Sequence, residues 1–243
     1  SDGRAGGERC PITRVTREFC QPEIRFDNVA DGLVRLTTLR PMTDALTHVR
    51  VTHAAFPATF VIPLSESITI TQMHVPVDDT HTYWYSFFTS FGAPLDGNAL
   101  RAQRLACVTL PDYAPKNGRH NNWNFDPEEQ RTRTFLGMGE DDINLHDQWA
   151  VESMGPIQDR TQEHLGTTDR VIMANRRTLL KAIDTVRAGG RPPMALNADE
   201  AGSLTGPDTI DCIAPAASWE AHWTEAAEAK RAGAAWLGER QPA

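Results

Sequence analysis

Between residues 23 and 91, hydrophobic and polar positions fall in short runs rich in β-branched and aromatic side chains. The runs are GLVRLTTL (32–39), HVRVTHAAF (48–56), TFVIPL (59–64), SITITQMHVPV (67–77) and TYWYSFFTSF (82–91). In the fourth, Ile68, Ile70, Gln72 and His74 alternate with Thr69, Thr71, Met73 and Val75. A period of two sends successive side chains to opposite faces of a strand. The segment PVDDTHT (76–82) supplies the Pro and Asp residues of a tight reversal. Consecutive strands with short links predict an antiparallel sheet rather than βαβ units.

The period then changes. Residues 92–142 hold Gly, Pro, Asn and charge without sustained alternation, and are expected to form a long irregular stretch of the kind that is more often functional than idle. In TTDRVIMANRRTLLKAIDTVRAGG (167–190), Val171, Ile172, Leu179, Leu180, Ile183 and Val186 are expected on one side of a helix. Thr168 would cap it and Gly189-Gly190 would stop it. SWEAHWTEAAEAKRAGAAWL (218–237) predicts a second helix, with Ser218 as cap and Trp219 and Trp223 one turn apart. Residues 144–154 contain neither Pro nor Gly and predict a third, ended by Gly155-Pro156. Strands first and helices afterwards make the fold class α+β. Residues 1–22, polar and without periodicity, are expected to be an irregular N-terminal segment, leaving 23–243 as the folded domain.

Composition narrows the function. With 40% hydrophobic and 23% charged residues, the 243-residue chain can bury a sizeable core. A formal net charge of −8 argues against nucleic acid, whose binding relies on clustered Lys and Arg. No apolar run approaches the roughly 18 residues of a membrane span. Cys10, Cys20, Cys107 and Cys212 lack C-x-x-C spacing, so structural zinc and paired-thiol redox chemistry are not expected, and low cysteine usage suits a cytoplasmic location.

The stretch INLHDQWAVESMGPIQDRTQEHLGTTD (143–169) carries the candidate chemistry. Asp147 and Glu152 are five residues apart and point in different directions around a helix, which disfavours a paired-carboxylate acid/base site. A single inward carboxylate instead suits non-haem Fe(II), whose other protein ligands are two histidines. His48 and His53 have H-x4-H spacing, with Asp44 ahead of them. On an extended strand, however, residues five apart face opposite sides, so one metal could not take both. His120, His164 and His222 are expected to be surface or core histidines.

RTRTF, followed by HDQWAVESMGPIQDRTQEHLGTTDRVIMANRRTLLKAI, resembles the catalytic domain of Rieske-type aromatic-ring-hydroxylating oxygenases, in the phthalate-dioxygenase-like branch. HVRVTHAAFP, VPVDDTHT and GPDTIDCIAPAASWEAHW resemble the same branch, in the same order along residues 24–225. The resemblance implies a helix-grip fold, a curved antiparallel sheet packed on a long C-terminal helix, and places the carboxylate ligand of a mononuclear Fe(II) at Asp147. His146 stands where Gln is common, which would alter hydrogen bonding around the ligand. No cysteine here has the C-x-H or C-x-x-H context of a Rieske cluster domain. The Rieske 2Fe-2S cluster and the two histidine ligands are therefore expected from a missing upstream segment or a partner chain.

The resemblance further implies a reductase, a small aromatic substrate, and hydroxylation, dihydroxylation or demethylation with O2. Assemblies of the family are often threefold, so an oligomer, trimer-based, is expected. Phthalate-type enzymes bind aromatic carboxylates, which a guanidinium fork matches bidentately. Arg35, Arg40 and Arg50 lie on or beside predicted strands of the pocket side, and Arg50 is the first candidate anchor. The alternative is a non-catalytic binding or scaffolding subunit that keeps the fold and holds an aromatic acid without iron.

Overall fold

The computed structural model describes residue 15 and residues 18–134, 136–139, 143–203 and 206–237. Expectations for residues 1–14 lie outside these. The strands are β1 (Glu23–Ala30), β2 (Leu33–Pro41), β3 (Leu46–Ala55), β4 (Thr59–Pro63), β5 (Ile68–Pro76) and β6 (Thr82–Ser90), then the short β7 (Val108–Thr109) and β8 (Ala114–Pro115), and finally β9 (Ile210–Pro215). The main helices are α1 (Gly97–Ala106), α2 (Ile143–Glu152), α3 (Arg170–Arg187), α4 (Ala198–Ser203) and α5 (Trp219–Ala232). The fold class is α+β, as the order of patterns predicts.

The chain divides into two compact units. One holds the large sheet with α3, α4 and α5, and the other holds Asp78–His81 with Leu95–His164. In the first, every pairing is antiparallel and the strand order runs β1-β2-β3-β4-β5-β6. β3 forks. Residues 53–55 pair with β4, whereas residues 46–51 pair with β9. The result is an open sheet rather than a barrel.

Period two decides which residues meet α5. Leu39, Val49, Val51, Ile210, Cys212 and Ala214 form one buried cluster, and Trp219, Trp223 and Ala226 of α5 pack on it. These helix positions follow the i, i+4, i+7 spacing of a single face. Full burial of a Val or Leu side chain contributes about 1.5–3 kcal/mol, so this cluster anchors the unit. Lys230, four residues past Ala226, donates to Thr69 Oγ1 at 2.9 Å and Thr209 O at 3.0 Å. Burial lowers its amine to about 8. Cys212 is a free thiol pushed up to about 12 by burial, an inert hydrophobe.

His53 is on the α5 face, 5% exposed, opposite Arg35 on β2. Burial, and secondarily that guanidinium, move its imidazole from the ordinary 6.5 down to about 4. The unfolded chain therefore binds the proton first. Stability is full above pH 6.5, falls as pH drops from 6.5 toward 4, and loses about 3 kcal/mol from this group over the window. Urea midpoints at several pH values should show a shallower acid loss for His53→Leu than for the wild type. Equal slopes would show that His53 is not the source.

Several local expectations need correction. The stretch 92–142 is not irregular throughout: Asp96 accepts from the backbone N–H of Asn98 and Ala99 and starts α1. The N-cap of α3 is Asp169 rather than Thr168, preceded by a 3-10 turn over Thr167–Asp169. Ile172, Leu180, Ile183 and Val186 of α3 are exposed, whereas Ala182 is its buried residue. The apolar stripe of α3 therefore faces away from the core of this unit.

Candidate active site

α2 carries Asp147 and belongs to the second unit. Leu145, 4% exposed, packs with Trp123 and Met138, flanked by Phe125 and Leu136. Gln148 Nε2 donates to Asn117 O at 3.0 Å and to Glu152 Oε1 at 2.9 Å. The Trp123 indole N–H donates to Glu152 Oε2 at 2.8 Å, and the Arg119 guanidinium donates to the Glu152 backbone carbonyl. Trp123 lies within three consecutive left-handed residues, Asn122, Trp123 and Asn124, with φ of 51°, 51° and 56°. That conformation costs roughly 1–2 kcal/mol for a residue with a Cβ. Burial of the indole and its bond to Glu152 offset the cost and hold the loop against α2. Nearby Gly137, at φ +72°, must be glycine, because a Cβ there would lie 2.7 Å from Asp126 O.

The rotation of α2 is thereby set. Leu145, Gln148 and Glu152 face the loop, while Asp147, two residues from Leu145, points the other way. Asp147 is exposed. Val151, one turn on, is 64% exposed, and Met154 beyond the helix is 50% exposed. His146 Nε2 lies 3.2 Å from Gly139 O, to which it donates, fixing the flank of the helix. Among the described residues, no three His, Cys, Asp or Glu side chains gather as a metal site. Asp147 therefore fits an iron centre only as one corner.

A second cluster sits in the first unit, on the sheet face away from α5. Strand alternation places His48, Arg50 and Asp211 there, and register sets Arg40 opposite His48 and Arg50 opposite Asp211. His48 Nε2 lies 2.7 Å from Asp211 Oδ1, and both residues are fully buried. Arg50 donates to Asp211 Oδ2, and its side chain is 19% exposed. Arg40 Nε and Nη1 and His48 Nδ1 are buried without a hydrogen-bond partner among the described residues. Burial, then the neighbouring Arg50, lowers the Arg40 guanidinium from its ordinary value, and Asp211 opposes the shift. Two guanidiniums against one carboxylate leave local positive charge unbalanced.

The three candidate arginines do not share a face. Arg35 lies on the α5 side, its guanidinium 5.3 Å from the Trp223 ring centre and 3.1 Å from Asp27. Arg40 and Arg50 face the other way. His48 and His53 likewise face opposite sides and do not form a metal pair. The sequence does not single out Asp211 or Trp123, and it offers Glu152 only as a partner for Asp147, since neither the β3–β9 register nor the loop fold around α2 follows from local pattern. The alternation in TIDCIAP is the one signal that could have marked Asp211 as facing away from Ile210 and Cys212.

Each unit also has a cleft. One of about 500 Å³ is lined by Asn117, Arg119, His120, Gln148 and Glu152 beside α2. Another, of about 570 Å³, lies between α3 and the β1–β2 end of the sheet, lined by Val34, Ala54, Asn175, Thr178 and Lys181 among others. Ala54 is on the same sheet face as Arg50, four residues further along β3, or about 13 Å away.

With this geometry in hand, comparison with known proteins is specific. The family model described as LigXa C-terminal domain like matches residues 16–231. The phthalate 4,5-dioxygenase oxygenase subunit of Pseudomonas putida is 30% identical over 179 residues, covering 69% of this chain and 39% of that protein. The 3-chlorobenzoate-3,4-dioxygenase oxygenase subunit of Comamonas testosteroni is 29% identical over 208 residues, covering 77% of this chain and 47% of that protein. The chain spans less than half the length of either relative. It belongs to the LigXa C-terminal domain-like family and carries sequence of the C-terminal part of the catalytic domain of phthalate-dioxygenase-like Rieske oxygenases.

Proposed function

We propose that this chain is the C-terminal part of the catalytic region of a Rieske non-haem iron oxygenase. It would act with O2 to hydroxylate, dihydroxylate or demethylate an aromatic, carboxylated substrate. The observation that carries this reading is the placement of Asp147. Asp147 is exposed on α2, with exposed Val151 one turn on and exposed Met154 beyond the helix, which supports a site closed by further polypeptide.

On this reading Asp147 is one ligand of a mononuclear Fe(II). Two histidines and the Rieske cluster come from a partner chain or from sequence outside this chain, and a reductase supplies electrons. Bound iron would supply the activation of O2. The chain's own contribution is a carboxylate on a helix that Trp123, Gln148 and Glu152 keep in one rotation. Arg50 is the proposed anchor of the substrate carboxylate. Asp211 already holds part of its fork, and the unspent donors of Arg40 add positive charge on the same face.

The test is co-expression with the chain or segment that carries the cluster motifs and an H-x4-H pair. Iron content beyond that of the cluster, together with O2 uptake dependent on phthalate or 3-chlorobenzoate, is the expected result. Binding of an aromatic acid with no mononuclear iron in any assembly would overturn it in favour of a non-catalytic binding or scaffolding subunit.

A further inference from the structure

We propose that His48 is a positioning residue for Arg50: through the Asp211 carboxylate it holds that guanidinium in one pose toward the substrate carboxylate. The inference rests on the reading of Arg50 as the substrate anchor. Sheet register provides the geometry. Asp211 on β9 lies directly opposite Arg50 on β3, and His48, the preceding β3 residue on that face, lies opposite Ile213. His48 and Arg50 are two residues apart on one strand, about 7 Å, so a carboxylate reaching across from β9 can meet both. It does. The Nε2–H of His48 donates to Asp211 Oδ1 at 2.7 Å, and the Arg50 guanidinium donates to Oδ2.

Two bonds do what one cannot. Rotation of a carboxylate about its Cβ–Cγ bond is loosely restrained, so an aspartate held by one oxygen can swing. Held by both oxygens it is locked, and so is the guanidinium it grips. An arginine fixed in this way binds a carboxylate without first losing rotamer freedom. Arg40 makes the lock selective. It lies opposite His48 on β2, and its Nε and Nη1 are buried without a hydrogen-bond partner among the described residues. An Oδ1 released by His48 would be open to these donors, and a carboxylate drawn toward Arg40 would turn away from Arg50.

Burial points the same way. His48 and Asp211 are both fully buried, whereas the Arg50 side chain reaches the surface. A buried imidazole and carboxylate are costly to desolvate, and well-packed hydrophobic residues of similar volume commonly stabilise a fold as well or better. Stability alone therefore does not call for a histidine at this strand position. A guanidinium that must be held in one pose does.

Steady-state kinetics of the assembled oxygenase test this, with phthalate or 3-chlorobenzoate, whichever the assembly oxidises. His48→Asn and His48→Gln introduce the same amide and differ in reach: the Gln nitrogen overlays Nε2, and the Asn nitrogen overlays Nδ1 and stops short of Asp211. KM for the acid is expected to rise about 10-fold in His48→Asn, the lower end of what a hydrogen bond to a charged group contributes. In His48→Gln, KM should stay within about 2-fold of wild type, and kcat should do so in both variants, because lost uniform binding raises KM alone. Equal KM values in the two variants, or an unchanged KM in His48→Asn, overturn the proposal. Arg50→Met separates it from the anchor reading. If Arg50→Met raises KM and His48→Asn does not, only the role of His48 falls. If Arg50→Met leaves KM unchanged, or the assembly oxidises neither acid, the functional reading falls and this inference with it. The imidazole nitrogen spectrum of the wild-type chain keeps the test decisive if the variants misfold. A proton on His48 Nε2 at neutral pH is expected, and an Nε2 without one overturns the proposal.

Discussion

Asp147→Ala in the assembled oxygenase is expected to remove mononuclear iron and substrate-dependent O2 uptake while leaving the cluster and the fold in place. Loss of an outer-shell partner of a metal site already costs roughly 10–100-fold in affinity or activity, and loss of a ligand should exceed that. The effect on folding should be small, because Asp147 is exposed on α2 and substitutions at such positions usually stay within about 0.5 kcal/mol. Metal analysis and O2 uptake read the first effect, and thermal unfolding reads the second. Glu152→Gln provides the contrast. It keeps hydrogen-bonding capacity toward Trp123 and Gln148, so iron should be largely retained. Unchanged iron and turnover in Asp147→Ala would exclude it as a ligand.

The second large effect is on stability. Asp211→Ala should cost about 3–5 kcal/mol, because removing one member of a buried ionic cluster strands its partners. His48 is fully buried against Asp211, and Arg50 donates to the other carboxylate oxygen. Asp211→Asn keeps an acceptor for one partner and should cost less, about 1–3 kcal/mol. Arg40 sharpens the expectation, since its donors are already unspent and would gain no counter-charge. Urea unfolding of the chain by itself decides the matter. Equal midpoints for wild type and Asp211→Ala would mean that the cluster contributes nothing to the fold. A loss confined to Asp211→Ala, with Asp211→Asn near wild type, would assign the stabilisation to hydrogen bonding rather than charge.

The two largest predictions differ in how far the sequence alone could reach them. Asp147 was legible because its neighbours, HDQWAVESMGP, form a contiguous string that resembles a family motif. Asp211 was not, because its meaning depends on the register that sets it opposite Arg50, 161 residues away. Arg50 lies on a strand, as its sequence pattern predicts. Its engagement by Asp211, and the free donors of Arg40 beside it, belong to the assembled sheet. Glu152 was weighed only as a possible catalytic partner of Asp147, whereas its carboxylate is occupied by Trp123 and Gln148.

By itself the sequence determined the strands from β2 to β6, the positions of α2, α3 and α5, and the α+β class. Each of these rests on periodicity, on capping and breaking residues, or on contiguous motif, which are local properties of the chain. Tertiary structure decided what sits opposite what: the fork of β3, the split of Arg35 from Arg40 and Arg50, and the outward stripe of α3. These depend on pairing between distant segments. A one-residue change of register sends every side chain of a strand to the other face, and no local pattern records which register the packed core selects.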